Sequence, residues 1–408
     1  MSQTTDSGFG RIEERIEGSI PTQSSPDSGF GRIAATAFQA PVGRTSRDMT
    51  SDLEPAAKPK SRKHKLEFTG SSAEYFRIWI VNVMLSIVTL GIYAAWAKVR
   101  TRQYFYANTR LGGHAFEYHG NPISILKGNL VIGVLAILYV YSQTALPLLT
   151  PVLALLGFAV FPFLIHQSLR FMASNSSYRN IRFRFHGTVG DSYTNHMLRP
   201  ILTNVTLGFM APAMLKGQRE YLFDNVAYGN SRARFNGDYS VFSSIFWRSV
   251  GLSIAMMFAV GILMAMIIPG MVASGGLQRG NPMASTMILL PIYAITFFAG
   301  TLIQTYMQVN LVNHCWNNTS VDGRRLRFVG SLDTMTMIKL RITNMLAIGL
   351  TLGLASPWAK VRYVQYVISS LSVFGEDDLE NFAAAERELE QSPLGDAATD
   401  FMNVDFGL

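Results

Sequence analysis

The residues that could do chemistry in this 408-residue chain are mainly cations, and they recur in one phrase. Trp96, Lys98, Arg100 and Arg102 follow the glycine of Leu90-Gly91, and Trp358, Lys360 and Arg362 follow that of Leu352-Gly353. A weaker copy runs from Leu207-Gly208 through Lys216 to Arg219-Glu220-Tyr221, with Ala213 and Leu215 where Trp96 and Lys98 stand in the first. In each copy an apolar run passes a glycine and then meets cations. Amphipathic cations and aromatics at such a junction hold lipid phosphates at a membrane interface or bind another anion. Lys98, Arg100 and Arg102 lie two apart, so on a helix they fan over about 200° and are not expected to form a single pocket wall.

Other constellations are weaker. Gln304 and Gln308 lie one helical turn apart in an apolar stretch, and His166-Gln167 closes another. Buried polar groups of this kind make interhelical hydrogen bonds or line a polar translocation path. The seven histidines and single Cys315 fit no metal or thiol signature, and no glycine loop cradles phosphate. No Asp or Glu falls in the apolar stretches between 123 and 312 outside their connecting loops and hairpins, which removes the usual carboxylate of a proton-coupled carrier. The expectation is no enzyme, no cofactor and no bound metal.

These residues must be positioned by elements read from pattern. The chain is 49% hydrophobic and only 15% charged, with net charge +8 and mean hydropathy +0.20. That balance places it in the membrane class, and the positive charge then reflects cytoplasmic Lys and Arg facing anionic lipid rather than nucleic acid. Two helical pairs are predicted, Ile123 to Ser142 with Leu148 to Leu169, and Val241 to Ile268 with Ser285 to Val312. The first long apolar run begins near Tyr75, so no secretory signal is expected.

A second motif separates the helices. Asn108, Asn175, Asn225 and Asn318 each stand twelve residues before a glycine (Gly120, Gly187, Gly237, Gly330), with an aromatic two before that glycine. Gly112-Gly113, Gly229-Asn230 and Asp322-Gly323 are good two-residue turns; Arg179-Asn180 is a poorer one. The limbs after them alternate apolar with cationic, predicting hairpins with one greasy and one charged face that pair together or lie on the membrane surface. Phe68-Thr69-Gly70 reads as the closing limb of a fifth unit whose first strand is missing.

Cations flank every copy of the cationic phrase, so single crossings would strand many of them outside. The reading that avoids this breaks each copy at Gly91, Gly208 and Gly353, with Pro212 and Pro357 soon after, and returns the chain to the side it came from. The alternative is that these residues merely kink ordinary spans. The fold expected is thus mainly α, a polytopic helical membrane protein with internal repeats and short cytoplasmic β-hairpins between helices. Its divisions are a disordered cytoplasmic tail over 1–65, repeat units over 66–187 and 188–330, a partial third over 331–372, and an acidic cytoplasmic tail over 373–408.

The phrase Leu90-Gly-Ile-Tyr-Ala-Ala-Trp-Ala-Lys-Val-Arg100, with Gln103-Tyr104, Asn108-Thr109 and the aromatic-x-Gly closures, resembles the YjgN-like family of bacterial inner-membrane proteins. That resemblance covers about Leu66 to Leu371. It implies a multi-pass protein of the bacterial inner membrane and no particular activity. Expected partners are anionic lipid headgroups and a cytoplasmic protein docking on the phrase Asp6-Ser-Gly-Phe-Gly-Arg-Ile12, repeated at Asp27 to Ile33. Two functions compete, a transporter or lipid- or solute-translocating protein and a membrane scaffold or regulator acting through hairpins and tails.

Overall fold

The computed structural model describes residues 62–273, 282–321, 325–375 and 382–383. The tail phrases, Lys58 and Lys60, the acidic stretch after Gly375 apart from Phe382-Ala383, and the Asp322-Gly323 turn lie outside them.

In chain order the elements are β1 (Arg62–Phe68), α1 (Ser72–Val88), α2 (Ala94–Ala107), β2 (Thr109–Leu111), β3 (His114–Tyr118), α3 (Pro122–Ala145) and α4 (Thr150–Ser174). Then come β4 (Ser176–Tyr178), β5 (Ile181–Phe185), α5 (Val189–Tyr193), a π turn (Thr194–Leu198), α6 (Arg199–Val205) and α7 (Ala211–Phe223). The chain continues through β6 (Val226–Tyr228), β7 (Ser231–Phe235), α8 (Tyr239–Ala273), α9 (Pro282–Asn317), β8 (Thr319–Val321), β9 (Leu326–Gly330), α10 (Thr334–Leu350), α11 (Ser356–Ser369) and β10 (Leu371–Gly375).

The ten strands close a single antiparallel barrel in which β1 pairs β10. This corrects the expectation of a polytopic helical protein with hairpins between its helices. Among the described residues three helices are long and apolar enough to cross a membrane, Pro122–Ala145, Thr150–Ser174 and Tyr239–Ile267. The hairpins form the centre. Each is too short to stand alone, and its outer edges are satisfied by the next hairpin, whose nearest register partner lies about forty or more residues away in sequence, as Phe185 with Val226. The unit lacking its first strand finds that strand in β10, at the other end of the chain. Residues 62–65 and 373–375, assigned from sequence to the tails, are therefore part of the barrel.

One hydrogen bond is made five times around this ring. The amide after each closing strand donates to a carbonyl at the next helix exit: Thr69 to Asn108 at 2.9 Å, His119 to Asn175 at 2.8 Å, His186 to Asn225 at 2.8 Å, Asn236 to Asn318 at 2.9 Å and Ser331 to Ser370 at 3.0 Å. Each asparagine also donates its side-chain amide to the carbonyl four residues back, satisfying an orphan group at the helix end. Ser370 does the same with its hydroxyl. These asparagines are thus structural, which explains their fixed spacing.

The register sets the direction of everything else. Pairs such as Phe68 with Thr109, Tyr118 with Ser176 and Gly330 with Leu371 lie where strands meet helices. The turns, together with Arg62 and Gly375, lie at the opposite rim. Every helix is therefore joined to one rim. The turn at Arg179-Asn180 adopts positive φ at both residues (52° and 65°) despite its unpromising sequence. Alternation sorts side chains as expected: on β7, Ser231, Ala233 and Phe235 are buried while Arg232 and Arg234 are exposed.

At Gly70, Gly120, Gly187 and Gly237 the aromatic-x-Gly closure is a packing requirement, whereas at Gly330 the near atoms belong to Asn313 and Trp316. A Cβ on Gly237 would sit 2.0 Å from the Phe235 ring, and one on Gly187 would sit 2.6 Å from the Phe185 ring. Phe235 is held in a core with Phe242, Ile245, Leu311 and Cys315 and cannot swing away. Gly237→Ala should therefore destabilise the protein by about 1–3 kcal/mol through overpacking, lowering the thermal midpoint in detergent; an unchanged midpoint would contradict this packing.

Candidate functional site

The cationic copies fold as three short helical hairpins, α1–α2, α5–α6 with α7, and α10–α11. Each turns at Thr-Leu-Gly. Leu90, Leu207 and Leu352 take φ of 50°, 51° and 51°, and Gly91, Gly208 and Gly353 take 90°, 92° and 96°. A left-handed leucine is uncommon, yet all three tips adopt it. The threonine before it makes this possible. Thr351 donates its hydroxyl to Ala347 O at 2.7 Å and accepts Ala355 N–H at 2.9 Å. Thr89 and Thr206 make the matching pairs. The leucine side chains are left 95%, 89% and 95% exposed. Pro212 and Pro357 do not break a helix. They stand in the first turn of the return limbs α7 and α11, where a proline's missing N–H costs nothing.

Two further clasps hold the limbs together. Nine residues before the tip glycine, Asn82 and Asn344 donate to Ala97 O and Ala359 O, and Arg199 donates to Ala213 O. At the barrel end Tyr104, Tyr221 and Tyr366 donate to the carbonyls of Ser71, Thr188 and Asp333, the residues that cap the descending limbs. The weak middle copy keeps the tip and both clasps while losing the tryptophan and the first lysine.

Barrel closure decides which copies meet. Because β1 neighbours β10, α11 packs beside α1 with no long hairpin between them, and its Lys360 reaches Phe105 of α2. At this seam a cleft of about 580 Å³ is lined by Lys98, Arg102 and Lys360 above an apolar floor that includes Trp79, Val83 and Ile87. None of the residues lining it is acidic. Of the three fanned cations, Lys98 and Arg102, one turn apart, reach the cleft, and Lys360 from far along the chain completes its wall.

Two of the three cations are held by aromatics. Lys360 Nζ donates to Tyr75 Oη at 3.3 Å and lies 5.0 Å from the Phe105 ring centroid. Arg102 donates to Tyr118 Oη at 2.7 Å and stacks over that ring. Partial burial, and then the neighbouring Arg102 charge, push the Lys98 ammonium below its ordinary value. An anion placed here would relieve that repulsion.

The remaining expected residues lie elsewhere. Arg100 is exposed on the other face of α2. Arg362 stacks over Trp358 and donates to Thr343 and Asn344, bracing α10 against α11. Trp96 and Trp358 are exposed beside the two hairpins. The polar path is not assembled. Buried His166 bonds Tyr221 of α7 at 2.9 Å, Gln308 accepts from Arg341 of α10, and Gln167 and Gln304 are exposed. Tyr75, Phe105 and Tyr118 were missed from sequence because their role exists only once the barrel has closed. The threonine two residues before each tip glycine was legible in all three copies.

Comparison with known proteins finds bacterial relatives. The family of bacterial proteins of unknown function (DUF898) matches residues 63–401. A Salmonella typhimurium LT2 protein named inner membrane protein YjgN is 27% identical over 380 residues, covering 82% of this chain and 94% of that protein. Its Escherichia coli K12 namesake is 26% identical over 366 residues, covering 78% and 90%. No solved structure matches.

The tip geometry makes a direct prediction. Thr351→Val removes the acceptor for the Ala355 N–H and should cost about 1–3 kcal/mol, the penalty for an unpaired donor. Thr351→Ser should recover most of the lost thermal stability; equal stability of Val and Ser variants would show that the hydroxyl does not hold the turn.

Proposed function

The chain belongs to the DUF898 family, and from that premise we propose that it is a non-enzymatic protein of the bacterial inner membrane that holds an anionic lipid headgroup in the seam cleft. The observation that carries this reading is the convergence of Lys98, Arg102 and Lys360, from opposite ends of the chain, over an apolar floor with no acidic neighbour. Lys and Arg bind a phosphodiester by charge-assisted hydrogen bonds, and the floor suits the first carbons of an acyl chain. Lipid handling has more support than solute transport, because His166, Gln167, Gln304 and Gln308 do not converge.

The arrangement in the membrane follows from lengths. α3 and α4, with 24 and 25 residues, reach about 36 Å, enough to cross a hydrocarbon core of about 30 Å. α1 has 17 residues and reaches only about 25 Å from the same rim before turning back. The short hairpins then dip in, with Leu90, Leu207 and Leu352 in lipid, while α3, α4 and Tyr239–Ile267 of α8 are the helices long and apolar enough to cross among the described residues. Barrel strands of three to seven residues are too short to span and stand outside the bilayer. Outward-facing Lys63, Lys65, Arg182, Arg232, Arg234 and Arg327 favour the cytoplasmic side.

Two experiments test this. Lys98→Gln combined with Lys360→Gln should reduce phosphatidylglycerol retained through purification, read by native mass spectrometry, at least tenfold. Two charge-assisted contacts of about 1.5–3 kcal/mol each are lost. Arg100→Gln should leave it unchanged, and equal losses from both changes would sink the cleft as the site. For sidedness, Gly113→Cys and Asn230→Cys are read against a quiet background, since burial pushes the Cys315 thiol up to about 11. Both new thiols should resist an impermeant maleimide in intact cells and react after permeabilisation; reaction of either in intact cells overturns a cytoplasmic barrel.

A further inference from the structure

The barrel lumen is not filled by its own strands. Ten strands enclose a wider bore than the eight whose side chains just fill their interior. What remains is a cavity of about 470 Å³, lined by Phe116, Phe183, Ala233 and Phe328 among others. Three of the hydroxyls along it are spoken for internally: Tyr178 donates to Leu111 O at 2.7 Å, Tyr228 to Tyr178 O at 3.1 Å, and Thr319 to Cys315 O at 2.6 Å. Water finds few partners there, and native interiors do not keep large empty voids. The size falls within the range of small-ligand pockets.

The two ends differ. At the rim that carries the helices the cavity reaches Leu222, Phe223 and Trp316, which end α7 and α9. Toward the other end Phe382 stacks on Tyr228, with ring centroids 6.1 Å apart and planes 17° from parallel, and Phe382 and Ala383 are buried in the lumen core. A guest therefore meets an apolar tube floored by Phe382, with Leu222, Phe223 and Trp316 at its helix end.

We propose that the lumen is a binding site for one long hydrocarbon chain, entering tail first from the helix rim and ending against Phe382. Its wall offers no cation and is almost wholly apolar, so a charged head stays at the rim. The chain comes from a free fatty acid or from a membrane phospholipid; both present the same alkyl chemistry. This site is separate from the seam cleft and does not rest on it.

The test uses the full-length protein in nanodiscs with Trp79, Trp96, Trp247 and Trp358 changed to Phe, leaving Trp316 as the reporter. Brominated stearic acid should quench Trp316 fluorescence saturably. Quenching by brominated phosphatidylglycerol as well assigns a membrane lipid; quenching by the acid alone assigns a free fatty acid. Ala233→Trp, with its own emission subtracted, should weaken the acid's apparent affinity at least tenfold by filling the bore. Phe382→Ala leaves all ten strands intact and should tighten binding of longer chains several-fold. Lys98→Gln with Lys360→Gln should change nothing, which separates this site from the cleft. Absence of saturable quenching, or quenching unaltered by both lumen changes, overturns the proposal.

Discussion

The pairing of β1 with β10 is the constraint on which the rest depends. An open sheet of short strands leaves two rows of unpaired amides, and short strands are marginal even when paired. Closing the ring removes both edges at once and brings residues more than three hundred apart in sequence into register, Arg62 opposite Gly375. It also completes the ring of carbonyls at the helix exits, where Ser370 stands in for the asparagine used at the other four. Without that closure α11 would have no reason to lie beside α1, and Lys360 would not share a cleft with Lys98 and Arg102.

Closure also gives the molecule its polarity. Antiparallel hairpins put every helix junction at one rim and the tight turns at the other. Helices of three length classes leave that common rim, those of the short hairpins, α3 and α4, and α8 and α9, so their reach is graded by sequence alone. The short hairpins end in a turn where a threonine hydroxyl pairs with backbone on both sides, which suits a tip bearing an exposed leucine to an apolar phase. The cations that follow the tips stand part-way back along the limbs, where phosphate groups lie when a tip is immersed.

Much of this was legible in the sequence at short range. Period-two alternation identified the strand limbs, and the asparagine-to-glycine spacing marked their ends. Leu207-Gly208 was recognisable as a tip although its copy lacks the tryptophan and lysine. What could not be read was pairing between hairpins, because alternation specifies which face is apolar and carries no information about which strand lies beside it. That gap led to the polytopic reading and left Phe68 without a partner. It also hid the seam: helical spacing separates Arg100 from Lys98 and Arg102, but only the fold supplies Lys360 as the third member. The aromatics that hold these cations carry no local signal.

The most direct measurement of ring closure is a disulfide between register partners Lys63 and Phe374, made as Lys63→Cys and Phe374→Cys in a Cys315→Ser background. A protease site placed between α3 and α4 then allows the chain to be cut once. After mild oxidation in membranes and cleavage, the two fragments should stay joined until reductant is added. Fragments that separate without reductant, from protein that is folded and fully oxidised, would contradict the closed barrel and the seam cleft that depends on it.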